Sequence, residues 1–598
     1  MSKITSFIKD FHLYKKRELI DAIASFSKKQ TVVFFSILVV AIVSLIIILG
    51  KINSMFMIDV PVSGGTVTEG ILGVPTLVNP VSALSDADKD LVALVYSGLM
   101  RESENGEFIP DLAELYTISP DGTVYTFTIK KDAKFQNGTK VTADDIIFTV
   151  EKINDPIIKS PRKTAWSGIT VSKEDDYTVK FTLDQPYISF MENMTIGILP
   201  SKLWDNISSS DFNLSPLNTK AIGSGPYKIE NVIRDKDGIP ERYELKRFNR
   251  FTLGKPLIKE INIVSFSNEK DLIKSLNNGS IDQAGSISPE YIENLKDKGY
   301  NIHSTTLPRV FGIFFNSSKN KIFEDKIVIQ AIDKTIDRQD LINQVLDGYG
   351  SIIYNPVPEK ILKKEYDIAY SSNTIDEINE ILDKDGWTLG EDGIRYKGGE
   401  TTKTVTKKVK GKTVQQTAKS TEPITRLSFS ITTGDTPELK EIESLIKDQL
   451  AKVGIEVDIQ KVYEAGQLNQ IIRARDYETL LFGQLINYES DLYSYWHSSQ
   501  RTDPGLNIGM YNDKKIDLIL ETVQKTLSKE ARDDLYSELI EEFDNNTPAI
   551  LIYSPNYIYI TSQKLNMPNL NITTPSDRFS SVYLWSTDTD KVWRMFTK

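Results

Sequence analysis

Residues 93–156 decide the fold of this chain and read ALVYSGLMRESENGEFIPDLAELYTISPDGTVYTFTIKKDAKFQNGTKVTADDIIFTVEKINDP. Within them, residues 123–130 alternate with a period of two, which predicts a half-buried β-strand. Thr142 then offers an N-cap to a helix. The apolar face of that predicted helix carries Ile146, Ile147, Val150 and Ile153. A strand followed by an amphipathic helix indicates a mixture of α and β elements.

The same mixture continues along the chain. Asp121-Gly122 and Asn137-Gly138 are typical of tight turns between strands. Residues 437–462 predict a helix that Gly454 ends, followed by a strand. No internal repeat occurs, so the sequence favours an α/β or α+β fold over an all-β repeat or a helical bundle.

Residues 31–50, TVVFFSILVVAIVSLIIILG, contain no charge. Twenty such residues in a helix span about 30 Å, the thickness of a bilayer core. A cleaved signal has a shorter apolar core and a small-residue cleavage site, and the following LGKINSMFMID offers no clear site. We therefore predict an uncleaved transmembrane anchor; a cleaved signal and a buried soluble helix are the alternatives.

The charge on either side of this segment predicts its orientation. Residues 1–30 hold seven Lys or Arg against three acids, whereas only Lys51 precedes Asp59 on the far side. Because basic residues stay on the cytoplasmic side, we predict a single-pass protein of the cell membrane. Its N-terminus would be cytoplasmic and its main body extracytoplasmic.

Composition excludes several classes of site. The absence of cysteine rules out disulfides, thiolate metal sites, a cysteine nucleophile and a lipidated cysteine anchor. The three histidines are far apart in sequence, at His12, His303 and His497. We therefore expect no metal site and no cofactor.

One basic segment interrupts a chain of net charge −11. Residues 397–420, KGGETTKTVTKKVKGKTVQQTAKS, hold seven lysines and one glutamate and predict an exposed hairpin that turns near Lys410-Gly411. Such a hairpin is either a solvated surface or a contact with an anionic envelope. It is not a P-loop, because Thr406 stands where that motif needs glycine.

Catalytic motifs are missing from the sequence. Ser224 lies between two glycines but lacks the outer glycines of a nucleophile elbow, and neither H-E-x-x-H nor G-x-G-x-x-G occurs. The paired carboxylates Asp144-Asp145 and Asp533-Asp534 suit a helix start or a solvated helix face. We expect no catalytic residue, no enzyme and no nucleic-acid partner.

The order of short motifs along the chain carries a resemblance. The motifs begin with Gly98-Leu99, Pro110–Ala113, Asp121-Gly122, Asn137-Gly138 and Thr142–Ile146, and continue with GSGPYKI (223–229), YELKRFNRF (243–251), NNGSIDQA (277–284), residues 312–350, ILDKDGW (381–387), LAKVGIEVDI (450–459) and ELIEEFDNNTPAILIY (538–553). Over about residues 64–565 this set resembles the extracellular solute-binding proteins of peptide ABC importers, solute-binding family 5. Each motif alone is weak, and the specificity comes from their common order.

The resemblance implies a mixed α/β, two-lobed fold of the periplasmic-binding-protein kind, preceded here by one transmembrane helix. Its predicted parts are a cytoplasmic segment (1–30), the anchor (31–50), a linker (51–63), lobe one (64–308, with 86–219 as an extra subdomain), lobe two (309–546, with 397–420 as an inserted hairpin) and a return to lobe one (547–598). The hinge would lie near residues 307–308 and 547–548. Ligand contacts from both lobes exist only when the lobes close, so ligand would favour the closed form.

The stretch GQLINYESDLYSYWH (483–497) is the predicted wall of the ligand site. In similar proteins a strand ends in a motif whose leading aspartate pairs with the α-ammonium of a peptide. Here Tyr488 matches that motif, but Asn487 replaces the aspartate and no proline follows. Either Glu489 or Asp491 reads the amine, or the ligand is a blocked peptide, a sugar or another neutral solute.

Other contacts follow from the same resemblance. Tyr488 and Trp496 would stack against ligand, and a strand-like peptide would pair with backbone groups. The predicted backbone contacts are at Gln484, Leu485 and Ile486, and the facing loop of residues 79–85 would contribute Val81, Ser82 and Ala83. A lone His497 beside a tryptophan is expected to be structural.

The implied function is capture of a peptide or another small solute and its delivery to an ABC transporter permease, by a monomer anchored through residues 31–50. A receptor of the same fold for a non-peptide solute, or a ligand sensor not coupled to import, is the alternative.

Overall fold

The structure is a computed structural model, and it describes residues 21, 23–103, 106–187, 189–358, 361–362, 374–409, 412–459, 463–486 and 489–593. Its helices are α1 (Lys28–Phe56), α2 (Asp86–Val95), α3 (Ala143–Asn154), α4 (Phe190–Asn193), α5 (Ser201–Trp204), α6 (Glu269–Asn277), α7 (Ile292–Asp297), α8 (Lys326–Thr335), α9 (Arg338–Val345), α10 (Ile375–Lys384), α11 (Pro437–Ala451), α12 (Ala465–Ala474), α13 (Glu489–Trp496), α14 (Lys514–Lys525) and α15 (Lys529–Asn546).

The strands are β1 (Met57–Pro61), β2 (Gly64–Leu72), β3 (Met100–Glu102), β4 (Phe108–Pro110), β5 (Ala113–Ile118), β6 (Val124–Ile129), β7 (Ile169–Asp175), β8 (Thr178–Leu183), β9 (Tyr227–Arg234), β10 (Pro240–Arg247), β11 (Ile258–Phe266), β12 (Gln283–Gly285), β13 (Asn301–Thr306), β14 (Arg309–Phe315), β15 (Gly350–Ile352), β16 (Thr388–Leu389), β17 (Arg395–Val409), β18 (Lys412–Arg426), β19 (Ser428–Thr432), β20 (Glu456–Ile459), β21 (Thr479–Leu485), β22 (Ala549–Thr561) and β23 (Thr589–Trp593).

The chain divides into two compact units. The smaller unit contains α1, β1 and β23. Helix α1 begins at a capping box formed by Ser27 and Gln30, and its residues Lys28–Asn53 have the length and composition of a membrane-crossing helix, with a mean hydropathy of 3.4. Strand β1 pairs antiparallel with β23. The predicted linker over 51–63 is therefore partly helix and partly strand, and β23 belongs to the same unit as β1.

The larger unit, residues 63–587, contains a mixed sheet of twelve strands. Ten of them follow the order β20-β19-β21-β14-β22-β12-β2-β11-β10-β9, while β13 and β15 also pair with β22. A separate sheet has the order β5-β6-β8-β7, and β17 and β18 pair as a long antiparallel hairpin. Residues 410 and 411, where the sequence predicts the hairpin turn, lie outside the described residues.

The buried side chains fall into two sets along this unit. One set lies between Val67 and Leu307 and continues from Tyr557 to Trp585. The other set lies between Val310 and Tyr553. We call residues 63–308 with 556–587 lobe one, and residues 309–555 lobe two.

The second crossing between the lobes differs from the prediction near residues 547–548. Strand β22 runs without a break through both cores. Its first part pairs with β14 and its last part with β12 and β13. The change of core therefore occurs within the strand, near residues 554–556, because a continuous strand can lend one end to each lobe.

Local sequence signals explain the extra subdomain. Tyr125, Phe127 and Ile129 of β6 are buried, as the period of two predicts. Asp145 accepts a hydrogen bond from the backbone N–H of Thr142 at 2.9 Å and so begins α3. Gly122 adopts the positive φ of +68° that its turn requires.

Candidate ligand-binding site

The candidate site lies where β21 ends, beside the first crossing between the lobes. Strand β21 pairs antiparallel with β14, and Leu485 lies opposite Arg309. The backbone N–H of Ile486 donates to the carbonyl of Pro308 at 2.7 Å. The predicted wall, residues 483–497, therefore begins on β21 and continues in sequence beyond the crossing.

One edge of β21 is only partly covered. On that side β19 pairs with Thr479 and Leu480 alone. The hydroxyl of Thr433 donates to the carbonyl of Leu481 at 2.9 Å. Beyond that point, among the described residues, no strand covers this edge of β21. An uncovered strand edge can pair with an extended peptide.

Leu485 and Ile486 have different surroundings at the end of β21. The Leu485 side chain is 39% exposed, and its carbonyl accepts a hydrogen bond from the Tyr495 hydroxyl at 3.0 Å. Ile486 is fully buried. Burial is the main cause that raises the pKa of Tyr495 to about 12, and the negative charge of Asp491 is the second. The Tyr495 hydroxyl therefore keeps its proton at neutral pH and donates this hydrogen bond.

Gln484 is 2% exposed, and neither its Oε1 nor its Nε2 has a hydrogen-bond partner among the residues that the structure describes. A buried polar group without a partner costs about 1–3 kcal/mol. Most such groups in folded proteins are paired. The Gln484 amide, within the predicted wall, can therefore still donate and accept hydrogen bonds.

The predicted wall is described in part. Asn487 and Tyr488 lie outside the described residues, and so does the side chain of Glu489, although its backbone begins α13. Asp491 lies half-buried in the first turns of that helix. Their roles in ligand binding stay predictions.

Trp496 lies in the core of lobe two. Its side chain is 1% exposed, and its rings pack against Phe314 at 6.0 Å and Phe543 at 4.6 Å between centroids. Trp496, a residue of the predicted wall, thus packs into the core, with both phenylalanines against its indole. Stacking of Trp496 on ligand has no support in this position.

His497 has structural partners, as the sequence predicts. Its ring stacks on Tyr493 at 4.2 Å. Its Nδ1 lies 2.8 Å from the Ser499 hydroxyl, and its Nε2 lies 3.3 Å from a Glu521 oxygen.

In lobe one, the loop predicted to face ligand is tied down by hydrogen bonds. Val81, Ser82 and Ala83 are all buried. The Ser160 hydroxyl donates to the carbonyl of Val81 at 2.6 Å, and the Ser82 hydroxyl donates to Asn213 at 2.6 Å. The next residue, Leu84, has a side chain that is 69% exposed.

Leu84 lies within the loop of residues 79–85 that the sequence predicts to face ligand, but it was not among the contacts named there. Its signal was an apolar residue directly before Ser85, the N-cap of α2, in a loop otherwise fixed by polar side chains. A single exposed apolar side chain is ordinary on a protein surface, so a role of Leu84 in ligand binding is a proposal.

Two lobes joined by a shared sheet, with an open strand edge at their crossing, define a solute-binding protein of the two-lobed kind. A family model described as "Bacterial extracellular solute-binding proteins, family 5 Middle" matches residues 107–505, more than half of the chain. The chain belongs to this family. It is a family of binding proteins and not of enzymes.

Three relatives are informative. The oligopeptide-binding protein AppA of Bacillus subtilis is 26% identical over 508 residues, which cover 83% of this chain and 87% of AppA. The structure of AppA in complex with a nonapeptide has 24% identity and a TM-score of 0.65, and covers 88% of this chain and 100% of that one. The nickel-binding protein NikA of Staphylococcus aureus is 22% identical, over 78% of this chain and 84% of NikA. MppA, a periplasmic murein tripeptide binding protein in an unliganded open form, has 17% identity and a TM-score of 0.70, and covers 88% of this chain and 98% of that one.

Proposed function

We propose that this chain is a membrane-anchored, extracytoplasmic receptor that captures a peptide between its lobes and delivers it to an ABC import permease. Helix α1 would hold the receptor at the membrane through residues 31–50, with the N-terminus in the cytoplasm. The receptor would act as a monomer. MppA adopts an open form, and we propose that this chain likewise alternates between open and closed arrangements.

The observation that carries the proposal is the partly uncovered edge of β21 at the crossing between the lobes. From residue 482 onward, no described strand pairs with that edge. A peptide laid along it would gain main-chain hydrogen bonds whatever its side chains are. This mode suits a receptor that accepts many sequences.

The recognition of the peptide amine distinguishes this chain from the pattern that it resembles. Asn487 can accept a hydrogen bond from an ammonium group but cannot neutralise it. A buried ammonium needs a carboxylate partner. We propose that Glu489 or Asp491 supplies it, and that Gln484 gives its unpaired amide to the same ligand.

On the facing lobe we propose Leu84 as an apolar contact. Its loop is fixed by the bonds from Ser160 and to Asn213, so the side chain is positioned before ligand arrives. Positioning in advance lowers the entropy cost of binding. Val81, Ser82 and Ala83 would then support Leu84 and the loop backbone.

The first test identifies the natural ligand. The full chain is purified in detergent and denatured, and released small molecules are identified by mass spectrometry. A mixture of short peptides is expected. A single non-peptide species would reject peptide capture and support the second candidate, a receptor for another solute, which the loss of the anchoring carboxylate at Asn487 favours.

A second test addresses the amine. Asn487→Asp should strengthen binding of peptides with a free N-terminus relative to the same peptides N-acetylated, by about tenfold, since it adds a charge to the hydrogen bond. Asn231→Asp is the matched control, because Asn231 is exposed on β9 in lobe one. Equal effects of the two variants would show that net charge alone is responsible.

The anchor and the permease need separate measurements. The full chain should remain in the membrane after alkaline extraction, and a chain lacking residues 31–50 should not. Disruption of a permease encoded nearby should abolish uptake of the identified ligand. Uptake that persists would favour the sensor alternative.

A further inference from the structure

The two lobes also touch at a place that is distinct from their crossings. The turn between β5 and β6, in lobe one, lies against Leu527 of lobe two. A Cβ built at Gly122 would lie 3.0 Å from both Cδ1 and Cδ2 of Leu527. The glycine therefore lets the turn backbone reach the leucine methyl groups directly.

The lobe-one side of this contact is a fixed turn. The backbone N–H of Gly122 donates to the carbonyl of Ser119 at 2.9 Å. The Ser119 hydroxyl donates to Asp121 at 2.5 Å, and the backbone N–H of Val124 donates to the Ser119 hydroxyl at 2.9 Å. These hydrogen bonds and the positive φ of Gly122 fix the backbone conformation of the turn. The turn therefore contacts lobe two as a rigid element.

The lobe-two side is fixed as well. Leu527 joins α14 to α15, and its carbonyl accepts a hydrogen bond from Arg532 at 2.8 Å. The Ser528 hydroxyl that follows accepts the backbone N–H of Ala531 and begins α15. The Leu527 side chain is still 44% exposed, so contact with the turn covers only part of it.

We propose that Leu527 and the turn at Gly122 form a latch that stabilises the closed arrangement of the lobes. The inference rests on the proposed function, since only a receptor that opens and closes needs a latch. An apolar contact made in one arrangement and lost in the other favours the first by its burial energy. Leu527 acts by positioning the lobes and does not need to touch the ligand.

The test measures the distance between the lobes directly. The chain has no cysteine, so Lys131→Cys in lobe one and Lys514→Cys in lobe two provide two unique sites for spin labels, and both positions are exposed. Distance distributions are recorded on the full chain in detergent, without added peptide, for the parent and for Leu527→Asp.

Leu527→Asp should lower the ratio of short to long distances by about three- to tenfold, the effect expected from part of one leucine side chain. Leu518→Asp is the matched control, because Leu518 is 63% exposed on α14, and it should leave the distribution unchanged. Gly122→Asn provides a second variant. Asparagine tolerates positive φ, so it adds a side chain against Leu527 with little backbone strain and should shift the distances in the same direction.

Identical distributions for the parent, Leu527→Asp and Gly122→Asn would overturn the latch. So would an equal shift in Leu518→Asp. The measurement needs no ligand, so it remains valid if the protein releases no peptide. In that case the proposal of peptide capture would be rejected, and the measured distances alone would decide whether the latch exists.

Discussion

Replacement of Arg578 by methionine should strongly destabilise lobe one. Arg578 is 3% exposed and joins two buried carboxylates. Its Nε lies 2.6 Å from Glu69, and its Nη1 and Nη2 lie 2.8 Å and 2.7 Å from the two oxygens of Asp90. Methionine fills much of the same volume but leaves both carboxylates in the core without their cation.

The magnitude follows from the burial of the partners. Glu69 is fully buried and Asp90 is 4% exposed. Removal of one partner of a buried ion pair costs about 3–5 kcal/mol, because the remaining charge is left uncompensated. Burial already raises the pKa of Glu69 in spite of the nearby guanidinium. Without Arg578 the pKa of this carboxyl rises further, so the loss of stability should be largest at alkaline pH and smaller at pH 5.

Amide hydrogen exchange is the suitable assay, because a two-lobed protein need not unfold in one step. Peptides from β2 and α2, which carry Glu69 and Asp90, should exchange about 10²–10³ times faster in Arg578→Met. Arg242→Met is the control, since that side chain is 39% exposed beside Glu244 and such pairs contribute about 0–1 kcal/mol. A rise of less than threefold in Arg578→Met would refute the view that the guanidinium stabilises this core.

Three further predictions concern buried polar groups. Glu443 is 1% exposed, its Oε1 has no hydrogen-bond partner within the described ranges, and burial raises its pKa to about 7. Its contribution to stability is present below about pH 4.5 and is lost as pH rises to about 7, so Glu443→Gln should be more stable than the parent at pH 8, by up to about 3 kcal/mol in urea unfolding, and no more stable at pH 4.5. In the part of the chain that the structure describes, the buried hydroxyl of Tyr557 also has no hydrogen-bond partner, so Tyr557→Phe should leave the melting temperature unchanged or slightly raised. Gly285→Ala should lower it, because a Cβ there would lie 1.9 Å from that hydroxyl, and the double variant with Tyr557→Phe should recover part of the loss.

Local signals predicted the local structure well. The alternation in residues 123–130 correctly placed Tyr125 and Phe127 inside. Thr142 begins its helix because Asp145 completes a capping box, and Gly122 takes the positive φ that an Asp-Gly turn requires. The strand alternation, the capping box and the turn each depend on residues within a few positions of one another. The residues that cause each feature can therefore be read from one short stretch of sequence.

Partners that are distant in sequence were not predictable. The bond from Arg578 to Glu69 joins residues 509 positions apart, and nothing near either residue indicates the other. The pairing of β1 with β23 has the same character. The crossing inside β22 was misplaced because residues 549–561 contain no break in their strand pattern, and a strand does not show from its own sequence that it serves two cores.

The candidate site shows the same limit. The aromatic stretch at 483–497 looked like a surface because it is rich in polar groups, yet Trp496 packs inward on Phe314 and Phe543. Phe543 lies on α15, so only the folded lobe brings it to the indole. Conversely, the sequence does not show that the Leu84 side chain is exposed, because the bond from Ser160 that fixes its loop joins residues far apart in the chain.

The two crossings between the lobes constrain how the protein can close. They run side by side: the backbone N–H of Leu307 donates to the carbonyl of Pro555 at 3.3 Å, and the Ser554 hydroxyl donates back to the carbonyl of Leu307. Because the crossings are bonded to each other, we expect the proposed opening to be a rotation of the lobes about this pair rather than a slide along the sheet. A rotation moves remote surfaces further than those at the axis. In the proposed opening, a contact away from the crossings, such as Gly122 with Leu527, would therefore be lost early, while the end of β21 would stay near the axis and keep its place for the ligand.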